Sequence, residues 1–423
     1  MGKSRYARIA LAGVACVSAT GASWAGQTQR TVTVVRKSAG PDRRLIAVAP
    51  GTAPNVVGTV LDSHGGRVAV TYGNAAVTAA VSDGRGGWFL GGDFSEIDGR
   101  PARHLAHVLA TGKIDLRWHA ALGFGRGRRP RGASGPLALA RTGNRLYIAG
   151  GFGSVDGVAR EGLAAIAASS GRLDQHWHPS VTSNTGAFNA VVAIGRRLYV
   201  GVAQRLTSKA GDARFCVAAL GALDGSLVRA FTARIVPLGD PACVNALTIS
   251  KGTLYVGGNF DRVGRRREVG LAALDAKTGA AKLGWRLRGF RDGGCSCGDV
   301  EAVTVHGNDV YFGGGFTGLS GQRRTGAAAA GTSRGQGRPW SPSLGSTADG
   351  ETGAALLVAS TVRGVAIGGN FTSVNGVQRH GFAITDAVRG TPLPSWAPGQ
   401  AESQVLALAT DGAQVYVGGT LLG

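Results

Sequence analysis

The chain is poor in methionine, aromatic residues and acidic residues. Of its 423 residues one is methionine and 6% are aromatic, and 25 Asp or Glu stand against 46 Lys or Arg. Glycine, by contrast, occurs 71 times. A chain with so few flexible core residues and so many glycines favours short strands joined by frequent turns. Beyond residue 25 no apolar run is long enough to cross a bilayer, so we expect no transmembrane segment in the mature chain.

Familiar catalytic and ligand-binding motifs are missing from the sequence. It has no Gly-x-Ser-x-Gly elbow, no His-Glu-x-x-His, no phosphate loop and no calcium loop of the Asp-x-Asp-x-Asp type. The sequence therefore indicates no catalytic, cofactor-binding or metal-binding residue, and it favours a non-catalytic protein without a cofactor.

Residues 1–25 resemble a secretory signal peptide. A basic start is followed by an apolar run from Ile9 to Val17 and by a small-x-small cleavage site, Ser23-Trp24-Ala25. A lipoprotein alternative would use Cys16, although Gly13 stands where a leucine would be expected. The sequence predicts a secreted, extracellular protein, and association with the cell surface stays open.

The charge and the cysteines fit an exported protein. The formal net charge is +21, which favours polyanions such as cell-wall polymers, nucleic acid or acidic polysaccharide. A bland alternative is that the arginines, spread along the chain, reflect composition and solubility. The four cysteines beyond the signal predict disulfides, because exported chains oxidise paired thiols. The preferred pairing is Cys216 with Cys243 and Cys295 with Cys297, with crossed pairings open.

A glycine followed five or six residues later by an aromatic residue recurs seven times. Such self-similarity at a period of about fifty residues is typical of stacked or circular repeat folds. One clear copy, from Val244 to Trp285, contains four strand-length apolar runs separated by turn residues. The seven pairs are Gly66/Tyr72, Gly112/Trp118, Gly171/Trp177, Gly225/Phe231, Gly279/Trp285, Gly335/Trp340 and Gly390/Trp396.

The first and last repeats are incomplete in complementary ways. Residues from Val56 to Tyr72 match the second half of a repeat, and Leu406 to Gly418 match the first half. A ring splits a unit between its termini because the shared sheet removes the exposed edge. We therefore expect an all-β, seven-bladed β-propeller of four-stranded blades over residues 55–423, with the last blade closed by N- and C-terminal strands. Residues 26–54 would be a linker or an extra strand, and the protein a monomer.

Alignment of the repeats predicts which residues serve the scaffold. A small residue recurs at one position of the innermost strand, where sheets crowd near the axis, and the recurring aromatic residues would fill the wedge between diverging blades. A recurring arginine before the third strand is assigned to the scaffold. The small-residue positions are Ala80, Ala138, Ala190, Ala246, Ala302 and Ala407, with Leu357 as the exception, and the arginines are Arg160, Arg267, Arg324 and Arg379.

These copies resemble the delta-sixty type of propeller repeat of exported bacterial proteins, a relative of the kelch-like and quinoprotein-like propellers. The resemblance rests on the Leu-Tyr-Val-Gly-Gly-x-Phe and Leu-Ala-Ala-Leu-Asp-x-x-Thr-Gly patterns and covers nearly the whole mature chain. It implies the propeller fold and little about chemistry, since most such proteins have no assigned activity. A partial similarity of Ala273 to Trp285 to the tryptophan-docking motif of quinoprotein dehydrogenases differs in spacing and blade number.

Candidate binding residues lie on the face that carries the longer loops. The residue before the recurring alanine is Asn189, Asn245 and Glu301 in three consecutive repeats, which predicts a polar ligand rim at the channel mouth with Asp299 nearby. The alternative is that these residues only bind channel water. A basic loop is the second candidate: Arg126, Arg128, Arg129 and Arg131.

The sequence thus favours an exported binding propeller whose partner is a carbohydrate, a cell-wall polymer or another protein. Two alternatives stay open. One is an enzyme at the channel mouth, either a quinone- or sugar-linked oxidoreductase or a polysaccharide-acting enzyme. The other is an adhesin that binds polyanions without selectivity.

Overall fold

The computed structural model describes residues 55–124, 136–183, 188–208, 214–237, 244–292, 300–346, 353–395, 397 and 404–421. Within these ranges the regular secondary structure is β-strand, and every strand pair is antiparallel. The residues predicted to form the signal peptide and the linker lie outside the described part of the chain.

The described strands form eleven sheets, and seven of these share one arrangement and are numbered here as repeats 1 to 7. In each, a middle strand pairs with an inner strand on one side and a third strand on the other. The inner strands are Val77–Ser82, Pro136–Thr142, Ala190–Ile194, Ala246–Ser250, Val300–His306, Ala355–Thr361 and Gln404–Thr410. The middle strands are Trp88–Gly92, Arg145–Gly150, Arg197–Ser208, Thr253–Gly257, Asp309–Gly314, Gly364–Gly369 and Val415–Leu421. The third strands are Leu105–Val108, Leu163–Ala167, Arg214–Gly221, Leu271–Asp275, Ala327–Gly331, Phe382–Thr385 and, in repeat 7, Asn55–Leu61.

The predicted fourth strand is regular in repeat 7 alone among the described residues, as Arg67–Gly73. In repeats 1 to 6 it shrinks to a single bridge, for example between Leu274 and Ala281. The turn before that bridge is tight: the Asp275 carboxylate accepts hydrogen bonds from the backbone N–H groups of Lys277 and Thr278, at 3.0 and 2.9 Å. The chain then leaves the sheet and places its aromatic residue against the next repeat.

Short hairpins follow the middle strands of five repeats. The two strands of each hairpin are joined by a two-residue turn such as Asp156-Gly157, in which both residues have positive φ, the geometry that matches the twist of paired strands. The hairpin strands are Glu96–Ile97 with Arg100–Pro101, Ser154–Val155 with Val158–Ala159, Phe260–Val263 with Arg266–Arg267, Phe316–Leu319 with Gln322–Arg323, and Ser373–Val374 with Val377–Gln378. The strands that pair with them are Arg67–Gly73, Leu122–Gly123, Ile235–Pro237 and Arg291–Asp292, and Val181–Ser183 pairs with the extended middle strand of repeat 3.

Repeat 7 combines the two ends of the described chain. Asn55–Leu61 pairs with Val415–Leu421, with Leu61 opposite Val415 and Thr59 opposite Val417. The inner strand Gln404–Thr410 completes this sheet on the other side. The strand pairing that the split repeat predicts is therefore present, and the repeated sheets give the chain a β-propeller fold.

The core lies between successive sheets rather than in one central cluster. Each of the seven described clusters of buried apolar side chains joins two neighbouring repeats. The cluster around Trp88 and Tyr416 joins repeats 7 and 1, and that around Ile384 and Val415 joins repeats 6 and 7. The packing thus continues through the shared repeat.

The recurring glycines bring each repeat onto the one before it. Gly171 has φ of +78°, and a β-carbon there would overlap the carbonyl oxygen of His119, the residue after Trp118. In repeat 7 this place is taken by Gly65, not by Gly66 as the sequence alignment had it, because Gly65 has the positive φ and the contact. The contacts are Gly65 with Ser395, Gly112 with Ala69, Gly171 with His119, Gly225 with His178, Gly279 with Ala233, Gly335 with Arg286, and Gly390 with Pro342.

The recurring aromatic residues also connect neighbouring repeats. Trp177 is fully buried, its ring lies edge-on to Tyr147 at 5.7 Å, and its indole N–H donates to the carbonyl of Gly221 in the next repeat. Trp118, Phe231, Trp285 and Trp340 are likewise buried. Tyr72 differs, because 37% of it is exposed on the fourth strand of repeat 7. Trp396 lies outside the described residues.

The recurring scaffold arginine needs one correction. Arg160, Arg324 and Arg379 occupy one position three residues before the third strand, but in repeat 4 that position holds Glu268 rather than an arginine, as the backbone bond from Glu268 N–H to the carbonyl of Asp261 shows. Arg267 is exposed instead. Arg324 donates to the carbonyl of Trp340 at 2.9 Å, and in repeat 4 the equivalent bond to Trp285 comes from Arg266, which also ion-pairs with Glu268.

Candidate functional site: the mouth of the axial cavity

All seven inner strands line one cavity of about 240 Å³. The aligned residues Ala138, Ala190, Ala246, Ala302, Leu357 and Ala407 all lie in its wall. In repeat 1 the equivalent of these residues is Ala79, which pairs with Gly91, and not the neighbouring Ala80 that the sequence alignment selected. The small residues therefore line the axis, where the sheets approach one another.

A bulge at the start of each inner strand sets the rim of this cavity. In repeat 5 the register shifts between Val300 and Ala302, so that Glu301 is an extra residue in the strand. In repeat 4 the backbone N–H of Asn245 donates to Gly257, the residue that also pairs with Ala246. Bulges re-aim side chains at the rims of sheets. The equivalent bulge residues in the other repeats are Thr78, Leu137, Asn189, Leu356 and Leu406.

Four of the seven bulge residues are polar, and all four line the cavity: Thr78, Asn189, Asn245 and Glu301. We call them the polar rim. Thr78 belongs to this set because the alanine of repeat 1 is Ala79, a register that sequence alignment missed. The hydroxyl of Thr78 lies 3.5 Å from the carbonyl oxygen of Gly91.

Apolar side chains also line the cavity. In repeats 6 and 7 they are Leu357, Val358 and Leu408, without a polar rim residue beside them, and the other repeats contribute Leu139, Val191, Leu247 and Val303. The polar rim is half-buried, and Asn245 and Glu301 both have partners within the protein, which limits their freedom to rotate. The mouth thus offers amide and hydroxyl groups that donate and accept, one carboxylate that accepts, and apolar side chains beside them.

Several predicted site residues lie outside the described part of the chain. They are Asp299 of the rim, the basic loop of Arg126, Arg128, Arg129 and Arg131, and three cysteines, Cys243, Cys295 and Cys297. Cys216 is described: it is buried at the start of the third strand of repeat 3, with its sulfur 3.8 Å from the carbonyl oxygen of Ile235. The disulfide pairing stays a prediction.

A part-buried polar cluster in repeat 1 was not identified from the sequence. The His107 ring lies between two carboxylates, with Nε2 3.1 Å from Asp83 and Nδ1 3.0 Å from Asp115, and it stacks on Phe89 at 4.5 Å. Burial alone would raise the pKa of Asp83, but bonds from the Arg85 N–H, the His107 ring and the Gly87 N–H together lower it. His107 stands where four other repeats have alanine, such as Ala273, and that difference is the signal in the sequence.

The described residues contain no group of three or more His, Cys, Asp or Glu side chains arranged to hold a metal ion. No helix with the length and apolar character of a membrane span was found in the described part of the chain.

Comparison with known proteins identifies no family. No family model and no curated protein matches the chain. A computationally designed protein, Ika8, is 15% identical, with 82% of this chain and 95% of that one covered at a TM-score of 0.42. The Pan2 WD40 domain of Neurospora crassa is 10% identical, with 82% and 89% covered at 0.45. An extracellular domain of a two-component system from B. thetaiotaomicron is 13% identical, with 82% and 39% covered at 0.42. At these TM-scores the likenesses carry no argument, and the fold rests on the strand pairing itself.

Proposed function

We propose that this chain is an exported seven-bladed β-propeller that binds a carbohydrate ligand, without catalysis, at the polar rim of its axial cavity. The observation that carries this proposal is the placement of Thr78, Asn189, Asn245 and Glu301 on equivalent bulges that all line one cavity. Export is supported by the features of residues 1–25.

Closure of the ring is supported by contacts that run through every repeat in turn. The inner strand Gln404–Thr410 contacts both Val77–Ser82 and Ala355–Thr361, so the innermost strands follow one another without a gap. The glycine contacts connect the repeats in the same order, since Gly112 of repeat 1 lies against Ala69 of repeat 7. A closed ring of sheets leaves only short edges, at the outside of each sheet.

The chemistry of the rim suits a sugar better than other ligands. Asparagine amides and a threonine hydroxyl match the alternating donors and acceptors of sugar hydroxyls, and Leu357 and Leu408 offer an apolar surface to the C–H face of a ring. Glycoside hydrolysis commonly needs two carboxylic groups. Glu301 is the one acidic residue among the described residues that line the cavity, which favours binding over hydrolysis.

A disulfide between Cys216 and Cys243 would fix the loop that leads into repeat 4. Its support is that Val244, the residue after Cys243, packs in the same buried cluster as Cys216. Peptide mapping by mass spectrometry without reduction is expected to yield a linked pair of peptides containing these two residues. Free thiols at both positions would contradict this pairing.

The binding proposal is tested with a glycan array probed by the mature protein at low and high salt. We expect selective hits that survive high salt and that are lost in the Asn245→Ala/Glu301→Ala variant. The matched control, Asn308→Ala/Glu161→Ala, removes the same groups at exposed positions and should bind like the wild type. Equal binding by all three proteins, or hits that disappear uniformly with salt, would rule out the rim as the site.

A further inference from the structure

The hairpins that follow the middle strands carry different charges in different repeats. The element is the same in the five repeats where it is described, so the repeats serve as controls for one another. The hairpin of repeat 1 has Glu96, Asp98 and Arg100, that of repeat 2 has Asp156, and that of repeat 6 has no charged residue. The hairpin of repeat 4, residues 260–267, has four arginines and one aspartate. The fold does not require these arginines, because the other repeats form the hairpin without them.

Three of the four arginines of repeat 4 are exposed and close together. Arg262 lies directly opposite Arg267 across the hairpin, and Arg265 is in the turn between them. Arg234, also exposed, lies beside this turn, because its carbonyl accepts a 2.6 Å hydrogen bond from the N–H of Gly264. Like charges directly opposite each other destabilise a strand pair. The arrangement therefore works against the hairpin itself.

The remaining arginine of this hairpin has a structural role that the other three lack. Arg266 is half-buried, donates to the carbonyl of Trp285 at 3.1 Å and ion-pairs with the buried Glu268. Of the other three, Arg262 has a carboxylate nearby, that of Asp261 at 3.4 Å in an exposed pair. An exposed pair of this kind contributes little to stability. Arg262, Arg265 and Arg267 are thus available to a partner.

The charge continues onto the adjacent hairpin of repeat 5. Phe290 connects the two, because it packs against Gly270 at the base of the first hairpin and its ring lies 5.3 Å from that of Phe316 in the second. The second hairpin and the segment that pairs with it add three exposed arginines: Arg291 and Arg323 pair on either side of Gly318, and the carbonyl of Arg288 accepts from the N–H of Ser320. The basic surface is defined as Arg234, Arg262, Arg265, Arg267, Arg288, Arg291 and Arg323.

We propose that this basic surface binds an acidic polysaccharide, at a site separate from the axial cavity. Guanidinium groups form paired hydrogen bonds with carboxylate and sulfate groups, and a row of them over two hairpins suits a linear chain with regularly spaced charges. Single-stranded nucleic acid would be expected to use exposed aromatic side chains for base stacking. The described aromatic residues of the two hairpins and their partner strands are Phe260, Phe290 and Phe316, and none of them is exposed.

The test compares two triple variants with equal loss of charge. Arg262→Gln/Arg265→Gln/Arg267→Gln alters the basic surface, and Arg85→Gln/Arg196→Gln/Arg363→Gln removes three exposed arginines from turns at the other ends of the strands. Binding to polygalacturonate and to dextran sulfate is measured from about 50 to about 200 mM salt, with a DNA duplex and an oligonucleotide as further arms. Thermal melting confirms that both variants are folded.

We expect the surface variant to bind the polysaccharides about tenfold more weakly, as for the loss of three exposed ion pairs, with a shallower dependence on salt. The turn variant should bind nearly as the wild type does. Equal weakening in both variants would show that binding follows net charge alone and would overturn the proposal, as would no polysaccharide binding at low salt. Tighter binding of either nucleic acid through the same arginines would assign the surface to a different partner.

Discussion

The hydroxyl of Tyr311 donates a 2.6 Å hydrogen bond to the carbonyl oxygen of Ala387, which belongs to the next repeat. Burial, with the nearby Asp309 carboxylate as a smaller cause, raises the pKa of Tyr311 to about 12, so the group remains a donor at neutral pH. Tyr147 and Tyr199 make the same bond to Ala222 and Ala276. The tyrosine of the middle strand thus links successive repeats by a polar contact inside an apolar layer.

Substitution of Tyr311 by phenylalanine should lower the free energy of unfolding by about 1–2 kcal/mol, because a part-buried carbonyl loses its partner. Tyr255 is the matched control, since its hydroxyl lies 3.4 Å from the carbonyl of Thr332 and its bond is weaker. Urea unfolding of Tyr311→Phe and Tyr255→Phe measures both changes. Equal losses would mean that removal of the hydroxyl acts through packing rather than through the bond.

Alanine at Gly171 should destabilise the protein more than alanine at Gly143. Both glycines have positive φ, which costs an L-residue roughly 1–2 kcal/mol. A β-carbon at Gly143 meets no atom within 4 Å, whereas one at Gly171 overlaps the backbone of His119. The difference between the two melting transitions isolates the contact between repeats. Similar values for Gly143→Ala and Gly171→Ala would contradict the role given to the recurring glycine.

The ion pair of repeat 4 should be exchangeable for the arrangement of repeat 5. Arg266→Gln/Glu268→Arg makes residues 266–268 identical to Gln322-Arg323-Arg324 and should stay within about 1 kcal/mol of the wild type. Arg266→Gln alone leaves a buried carboxylate without its partner and should cost about 3 kcal/mol. Chemical denaturation of the three proteins compares them, and a double variant worse than the single would refute the equivalence.

The stability of the Arg266→Gln variant should also depend on pH, through the carboxyl group of Glu268. Burial raises the pKa of Glu268 even beside Arg266, so the folded state holds this proton more tightly than the unfolded state. Stability from the protonated form is therefore present at low pH and lost as the pH rises through the folded pKa. In Arg266→Gln the loss of unfolding free energy as the pH rises should be larger than in the wild type. Denaturation curves of both proteins at several pH values measure this difference.

The carboxylate of Asp83 should make the protein sensitive to acid. Its pKa is lowered in the folded state, so its contribution is present above the unfolded value of about 3.9 and is lost as the pH falls through the folded one. Asp83→Asn should lower the free energy of unfolding at neutral pH. The difference in that free energy between variant and wild type should become smaller below about pH 4. Glu161→Gln, at an exposed site, serves as the control. A difference in unfolding free energy that stays constant with pH would exclude this link between the protonation of Asp83 and stability.

The architecture could be predicted because the same pattern of strands and turns recurs along the sequence. Strand-length apolar runs, the Gly-Gly-x-Phe ends of the middle strands and the split first and last copies indicated the propeller and its shared sheet without any single-residue argument. The exact register of each strand could not be predicted from the sequence, nor could the residue equivalences that depend on it. The connection between the inner and middle strands is one residue longer in repeat 1 than in repeat 2, so Ala79 is the equivalent of Ala138, and alignment by residue type selected Ala80 instead.

Departures from the repeat were harder to interpret than the repeat itself. Arg267 matched the recurring arginine by residue type, yet Glu268 holds the position and Arg266 supplies the bond. The same reasoning missed the cluster of Asp83, His107 and Asp115, whose members are separated by up to 32 positions in the chain and meet through strand pairing. The partners of residues that break a repeat therefore cannot be inferred from the other repeats.

The pairing of Asn55–Leu61 with Val415–Leu421 sets an order of events in folding. Strand Asn55–Leu61 is synthesised long before Val415–Leu421, and it has no partner on that side until residues 415–421 have been made. Contacts between residues so distant in sequence form slowly. This sheet can be completed only after residues 415–421 have been synthesised, so a chain truncated ahead of Val415 would retain an exposed strand and be prone to aggregation.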